Sequence, residues 1–229
     1  PAEKRAVIFY TALDSGRPRG AVFSHGGLLS TLLHVSEWFT LDEYDLGFTT
    51  LSWSYFPSFV TGLHYVLSGV GNALSAGTAS VFDDLQQTSP TVTMTSPFAI
   101  ENIYRKIMSD LNEMPESRRK AFEWALALGR RYHASESTAS NELRERYTRA
   151  DMTFFGRMRA MLGGRLNRIY SAGAPLSNEL VGYVEAIGLM PLNVYAVAES
   201  GGFPAVSPPF ARRPGSGGQV APGFQIRIS

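Results

Sequence analysis

Ala6-Val7-Ile8-Phe9-Tyr10-Thr11-Ala12-Leu13-Asp14-Ser15-Gly16-Arg17-Pro18-Arg19-Gly20-Ala21-Val22-Phe23 is the stretch on which the fold turns. Its first five residues are short, apolar and partly β-branched, as a buried strand is. Thr11 to Gly20 is rich in breakers, with Gly, Pro, Asp and Ser close together, and Ala21-Val22-Phe23 returns to strand character. From His25 the pattern changes period: Leu28, Leu32, Val35 and Phe39 fall on one face of a helix.

The same alternation continues outward. Phe48 to Leu51 predicts a strand, Pro57 to Asn72 a buried helix ending near Gly69 and Gly71, and Ala79-Val81-Phe82 a further strand. Pro90 to Met94 reads as a strand closing at Pro97, and Phe98 to Leu111 as an amphipathic helix. Residues 112–150 hold most of the charge runs and are mainly helical; the apolar stripe within Ala121 to Gly129 is expected to lie on the sheet. Ser135 to Ser140 is a polar link, and Arg165 to Tyr170 resumes strand character. Ser177 caps a helix from Asn178 to Ile187, and Leu192 to Tyr195 is a strand. Pro204 to Pro214 reads as a loop and Gly223 to Ile228 as a strand. Strands alternating with helices predict an α/β domain with a largely parallel sheet flanked by helices.

The composition supports a packed core, with 44% apolar residues, 14 Phe and 10 Tyr against 18% charged. With 21 basic and 20 acidic side chains, the balanced surface gives no reason to expect nucleic acid or an anionic membrane as main partner. The absence of Cys removes disulfides, thiolate metal sites and thiol nucleophiles together, and fits a reducing compartment. No signal peptide is legible, and the opening Pro1 predicts an excised or processed piece. Leu46 to Phe82 carries no charged side chain, yet its Ser, Thr and Gly content, Pro57 and His64 argue for a segment buried in protein rather than in a bilayer.

Several stretches, taken in order, resemble the adenylate-forming superfamily and specifically its long-chain fatty acyl-CoA synthetases. Tyr10 to Gly20 is similar to the phosphate loop Y-T-S-G-T-T-G-x-P-K-G, and Tyr170-Ser171-Ala172-Gly173-Ala174-Pro175-Leu176 to S-G-G-A-P-L. Tyr195-Ala196-Val197-Ala198-Glu199-Ser200 stands in the place of Y-G-x-T-E-T. Pro214 to Gly223 is similar to R-P-G-S-V-G-x-P-x-P-G. The resemblance implies an incomplete large (N-terminal) domain of the adenylate-forming fold, with residues 1–111 holding the phosphate loop and acyl pocket. Residues 112–150 would be a charged helical insertion and 151–229 the adenine-binding part. A ribose-binding Asp and a lid with a catalytic Lys are expected outside this stretch, so the isolated chain is not expected to turn over.

The resemblance also implies chemistry: a fatty acid attacks the α-phosphate of ATP, and CoA then takes the acyl group, with Mg²⁺ held by Glu199. Thr11, Ser15, Gly16 and Arg19 would meet phosphate through two hydroxyls, bare backbone and a cation. Gly173, Ala174 and Pro175 would border adenine and Tyr195 would stack on it. Trp53, Phe56, Phe59, Leu63 and Val66 are candidates for the acyl pocket.

Four positions depart from the family pattern. Leu13 stands for Gly and Asp14 for Thr; a carboxylate 4 Å from a phosphate charge costs about 4 kcal/mol at an effective dielectric of 20. Tyr55 stands for a His beside the reacting groups and cannot carry positive charge near neutrality, and Ala198 stands for Thr. None of the four histidines matches that His motif: His25 is expected to be structural, His34 and His64 to be core or edge residues of apolar helices, and His133 to lie in the polar link. The rival readings are a degenerate relative kept as a lipid-binding or protein-interaction module, and an unrelated nucleotide-binding α/β protein. The setting expected is cytoplasmic with peripheral membrane contact left open, and missing partner segments would favour self-association.

Overall fold

The structure is a computed structural model and describes residues 1–11, 18–77, 79–135, 138–213 and 215–228. Strands β1 (Arg5–Thr11) and β2 (Arg19–Ser24) pair antiparallel, with Ile8 opposite Val22 and Tyr10 opposite Gly20. Alternation turns Phe9 and Phe23 inward, where their rings meet edge to face at 5.7 Å. Ile8, Tyr10 and Val22 are exposed, so the strand expected to be buried is buried on one face only.

Among the described residues the main sheet has seven strands. Their order is β4 (Gly71–Leu74), β3 (Leu46–Thr49), β5 (Val92–Thr95), β6 (Arg168–Ala172), β7 (Met190–Val197), β8 (Gly202–Val206) and β9 (Gln219–Val220). Neighbours run parallel from β4 to β7, and β8 and β9 add on antiparallel. Every residue of β5 is buried, as expected of a parallel strand covered on both faces.

Helices α1 (His25–Trp38) and α2 (Phe56–Leu67) cover one face together with the hairpin. Their core holds Phe39, Val60 and Tyr65 against Met94, Tyr170 and Leu192. The other face carries α3 (Val81–Thr88), α4 (Pro97–Asn112), α5 (Glu116–Ala134), α6 (Asn141–Ala150), α7 (Gly156–Ala160) and α8 (Asn178–Ala186). Serines start four of these helices: Ser24, Ser96, Ser140 and Ser177 each accept from the backbone N–H three residues on. Each such cap stabilises its helix by about 1 kcal/mol.

Four expectations are corrected. The helix predicted to reach Asn72 stops at Leu67, and Gly71 and Asn72 open β4. Val81 and Phe82, read as strand, begin α3, because Asp84 accepts from Ser75 Oγ, Ser80 Oγ and Ala76 N–H and fixes the preceding turn. Gly202–Val206 is β8 rather than loop; Pro204 is tolerated because it falls at the register shift opposite Tyr195 and Val197. Residues 223–228 form no strand, and the edge is Gln219–Val220. In addition, the buried stripe Phe122, Ala125, Leu128 and Gly129 packs on α8 and α6, so α5 belongs to an outer helical layer.

Gly129 is where α5 and α8 come closest: a Cβ there would lie 2.5 Å from the Ala186 carbonyl oxygen. Alanine gains up to about 1 kcal/mol of helix propensity, but overpacking against unyielding backbone costs about 1–3 kcal/mol. Gly129→Ala should therefore lower the unfolding free energy in a urea titration. Gly182→Ala on the facing helix, whose nearest neighbour is Arg130 Nε at 3.6 Å, should raise it by about 0.5–1 kcal/mol. Equal effects from the two substitutions would refute this account of the helix contact.

Candidate functional site

Loops leaving the carboxyl ends of parallel strands collect along one edge of the sheet, and the candidate site lies there. Thr50, just past β3, shares a 3.1 Å hydrogen bond with Thr95 at the end of β5. Tyr55 reaches from the same β3–α2 segment to Gly173, the residue after β6; a Cβ on Gly173 would sit 2.8 Å from the Tyr55 hydroxyl oxygen. Gly173 has φ +101°, a backbone state side chains rarely adopt, so position 173 needs glycine on both counts. Tyr55 is half-buried, and that burial pushes its phenol up, so the hydroxyl is a neutral donor near pH 7.

After β7 the chain makes a 3₁₀ turn over Ala198–Ser200. This turn projects Glu199 toward the hairpin, and Thr11 donates to Glu199 Oε1 at 2.6 Å across 188 residues of sequence. The Thr11 hydroxyl, then the backbone N–H of Glu199 itself, and then the nearby Arg19 charge hold the carboxyl below the usual glutamate range, against a small opposing effect of burial. Ala198 is buried beside it.

Two clefts flank this turn. One, of about 450 Å³, lies between the hairpin and the turn and is lined by Arg19, Val22, Ser24, Gly27, Glu199 and Gly201. The other, of about 310 Å³, is lined by Gly173, Ala174, Pro175, Asn193, Tyr195 and Gly217. Tyr195 is 53% exposed, which leaves ring surface open for stacking. Asn193 lies two residues before Tyr195 and so on the same face of β7. Its Nδ2 donates to the Ser216 carbonyl at 2.8 Å, while its Oδ1 is buried with no partner among the described residues. Leaving such an acceptor unpaired costs about 1–3 kcal/mol, so it is poised to take a donor from a ligand. Sequence reasoning missed Asn193; its only signal was its spacing from Tyr195.

The structure thus brings together Thr11, Arg19 and Glu199 at one cleft and Gly173, Ala174, Pro175 and Tyr195 at the other, with Tyr55 against Gly173. Ser15 and Gly16, with Leu13 and Asp14, lie outside the described residues. The acyl-pocket candidates do not line either cleft. Phe56 is a core residue stacked on Phe23 at 5.2 Å, and Phe59 meets Phe9 at the same separation. Trp53 lies over Gly62 and edges onto Phe59, Leu63 packs on that core, and Val66 is 62% exposed. His64 is buried with Nε2 on the Phe39 carbonyl at 2.9 Å, a structural role, and His133 lies in the last turn of α5 rather than in the polar link. Among the described residues no group of three or more His, Cys, Asp or Glu side chains forms a metal cage. A single ionised carboxylate still fits Mg²⁺, which takes one or two carboxylates and fills its sphere with phosphate oxygens and water.

The solved structures this chain superposes on give its mainly parallel sheet, with open clefts at the carboxyl ends of the middle strands, the α/β fold of the N-terminal domains of adenylate-forming enzymes. Solved structures agree on the fold. VinN in complex with L-aspartate superposes with a TM-score of 0.67 at 17% identity, covering 100% of this chain and 46% of that one. The N-terminal domain of FACL13 from Mycobacterium tuberculosis gives 0.64 at 15% identity, covering 95% of this chain and 44% of that one. The AMP-binding enzyme family matches residues 1–229, and the chain belongs to that family. Among curated relatives it is 25% identical over 233 residues to a putative fatty-acid–CoA ligase, fadD11, of Mycobacterium tuberculosis, covering 99% of this chain and 41% of the relative. It is 24% identical to the mouse long-chain-fatty-acid–CoA ligase ACSBG2, covering 97% of this chain and 35% of the relative. The chain therefore spans less than half the length of these relatives.

A carboxyl group with a depressed pKa contributes stability that is present above the ordinary glutamate value and is lost as pH falls through the folded value. In a carboxyl-carbon NMR titration Glu199 should stay ionised below the ordinary glutamate midpoint, and Thr11→Val should return it toward that midpoint. An unchanged midpoint in Thr11→Val would mean the hydroxyl is not what holds it.

Proposed function

We propose that this chain is the nucleotide-facing middle of an AMP-forming long-chain fatty acid–CoA ligase, and that the reaction belongs to the protein this region serves. The observation that carries the reading is the Thr11–Glu199 hydrogen bond, which joins the hairpin to the turn after β7 at the carboxyl edge of the sheet. The names of the curated relatives support the acyl substrate class. In this reading residues 1–111 supply the phosphate side and acyl pocket, 112–150 a charged helical insertion, and 151–229 the adenine side.

The reaction is a displacement. A fatty carboxylate oxygen attacks the α-phosphorus of ATP, the bond to the bridging oxygen breaks, and pyrophosphate leaves; CoA sulfur then displaces AMP from the acyl carbon and loses its proton. The protein acts by positioning and by countering charge. Arg19 supplies a cation, and Thr11 with Ser15 and Gly16 supplies hydroxyls and backbone donors for the phosphates. Gly173, Ala174 and Pro175 admit the base because no side chain rises at 173, and Tyr195 stacks on it. Asn193 Oδ1 accepts from the exocyclic amine, which pairs the buried acceptor. Tyr55 donates to an oxygen of the acyl carboxylate or α-phosphate, a role that needs no charge. Glu199 is the ligand for Mg²⁺, which when bound offsets phosphate charge. The acyl side is assigned to the β3–α2 segment that holds Trp53, Phe56, Phe59, Leu63 and Val66, although Phe56 is packed in the core and Val66 faces solvent. A cytoplasmic setting with contact at a membrane surface goes with an acyl substrate; no helix among the described residues is long and apolar enough to cross a membrane.

A second reading, a degenerate relative that binds lipid or protein but not nucleotide, draws on the Tyr55 hydroxyl packed against Gly173 and the buried Ala198 methyl. Calorimetry with ATP and Mg²⁺ separates the two. We expect saturable binding that weakens at least tenfold in Glu199→Ala and about three- to tenfold in Asn193→Leu. No pyrophosphate release is expected from this chain alone. A folded sample that takes up palmitate and no nucleotide would reject the ligase reading in favour of the second.

A further inference from the structure

On the sheet face away from the hairpin, a cleft of about 150 Å³ opens between α4, α5, the π-helical turn Asp151–Phe155 and α7. Its inner wall is apolar: Ile107, Leu111, Phe122 and Met158 are buried, and Met114, Phe154 and Met161 line the rest. The rim is cationic. Arg118 and Arg157 stand exposed at the mouth, and neither guanidinium makes an ion pair or hydrogen bond among the described residues. The acid at the rim, Asp110, is already matched by Lys106 at 2.7 Å. The site is remote from the nucleotide clefts. Helix α4 leaves the carboxyl edge at Pro97, and at 1.5 Å per residue Ile107 to Leu111 lie roughly 15–20 Å down its length.

We propose that this cleft binds a single-chain anionic amphiphile, a carboxylate with an alkyl tail, at a site separate from the catalytic edge. The tail enters the apolar wall and the carboxylate meets Arg118 and Arg157. Four features combine to favour this occupant over plain packing. Two exposed guanidinium groups with no protein partner among the described residues, set over an apolar floor, offer the forked donors that a carboxylate takes. The volume equals that of an engineered apolar cavity that takes up benzene, so it fits a tail end rather than a globular partner. Methionines at 114, 158 and 161 give the wall the adaptability to fit a flexible chain. The π-helical turn beside it is a rare form that is frequently found at functional sites. The inference does not depend on the ligase reading.

The test uses the chain labelled with ¹³C at its methionine methyl groups and titrated with sodium decanoate below its micelle concentration. We expect saturable shifts at Met114, Met158 and Met161, with Met94 and Met190, which belong to the core on the opposite face, unmoved. The double charge reversal Arg118→Glu with Arg157→Glu, at exposed positions, should weaken decanoate at least tenfold. Decanol, with the same tail and no charge, should bind at least tenfold more weakly than decanoate. Absence of saturable shifts, shifts confined to Met94 and Met190, or an affinity indifferent to the charge reversal would each overturn the proposal.

Discussion

Short parallel strands buried on both faces leave the backbone no choice of partner. β5 and β6 are only four and five residues long, and their N–H and C=O groups pair with the neighbouring strands. Parallel pairing requires each strand to be re-entered from the same end, so helices must return the chain across a face. That constraint places α2, α4 and α8 and sends every loop after β3, β5, β6 and β7 to one edge. The candidate site is a consequence of it: Tyr55, Gly173 and Glu199 lie along one edge because each follows a strand of the same ladder, Tyr55 against Gly173 and Glu199 against Thr11. At the opposite edge the ladder is pinned by charge. Arg168 at the start of β6 reaches Asp45 at 2.6 Å and the Thr40 carbonyl, and Thr91 donates to the same Asp45 oxygen. Burial pushes the Asp45 carboxyl up, but bonds from Arg168, Thr91 and the local backbone outweigh it and hold it below the usual range. The two charges are largely buried, so losing one partner strands the other, a change that typically costs about 3–5 kcal/mol.

What the sequence made legible follows the same division between local and non-local causes. Helix α1 was readable because Leu32, Val35 and Phe39 repeat at helical spacing, and α8 because Ser177 announces its start. Both signals act within one turn of the chain. Val81–Phe82 misled because an apolar pair reads alike in strand or helix. The decision there came from Asp84, which fixes the turn through Ser75 and Ser80. β8 was missed for the reverse reason: Pro204 is a breaker in isolation, yet the register shift in its partner strand accommodates it.

The candidate site divides in the same way. The order of motifs singled out Thr11, Glu199, Gly173 and Tyr195 one by one, but the hydrogen bond between Thr11 and Glu199 rests on topology and was not legible. Asn193 was not legible, because a lone amide in an apolar strand carries no mark until the chain places Ser216 on one side of it. The uncharged stretch of α2 could not be divided into wall and core from composition. Packing made that division, turning Phe56 inward to Phe23 and Phe203 and leaving Val66 to solvent.

The departures from the family pattern bear unequally on binding once geometry is considered. A histidine replaced by Tyr55 loses the capacity for positive charge but keeps a donor, and the donor is half-buried against Gly173. Ala198 loses one hydroxyl, a matter of about 0.5–1.5 kcal/mol. Glu199 retains its carboxyl, held below the usual glutamate range because its hydrogen bonds favour the carboxylate over the carboxylic acid. An ionised, exposed carboxylate whose partner is a neutral hydroxyl has its charge unspent, unlike Asp45, whose charge is matched by Arg168. The two acids therefore divide the work by their environments: one is neutralised at the amino edge to hold the strands, the other stands exposed at the carboxyl edge with no ion pair among the described residues and the Arg19 charge nearby. An uncompensated carboxylate repels a bare triphosphate and attracts a triphosphate carrying a divalent cation. In the proposed reading, the sign of the charge at Glu199 would favour the metal complex of the nucleotide over the free anion.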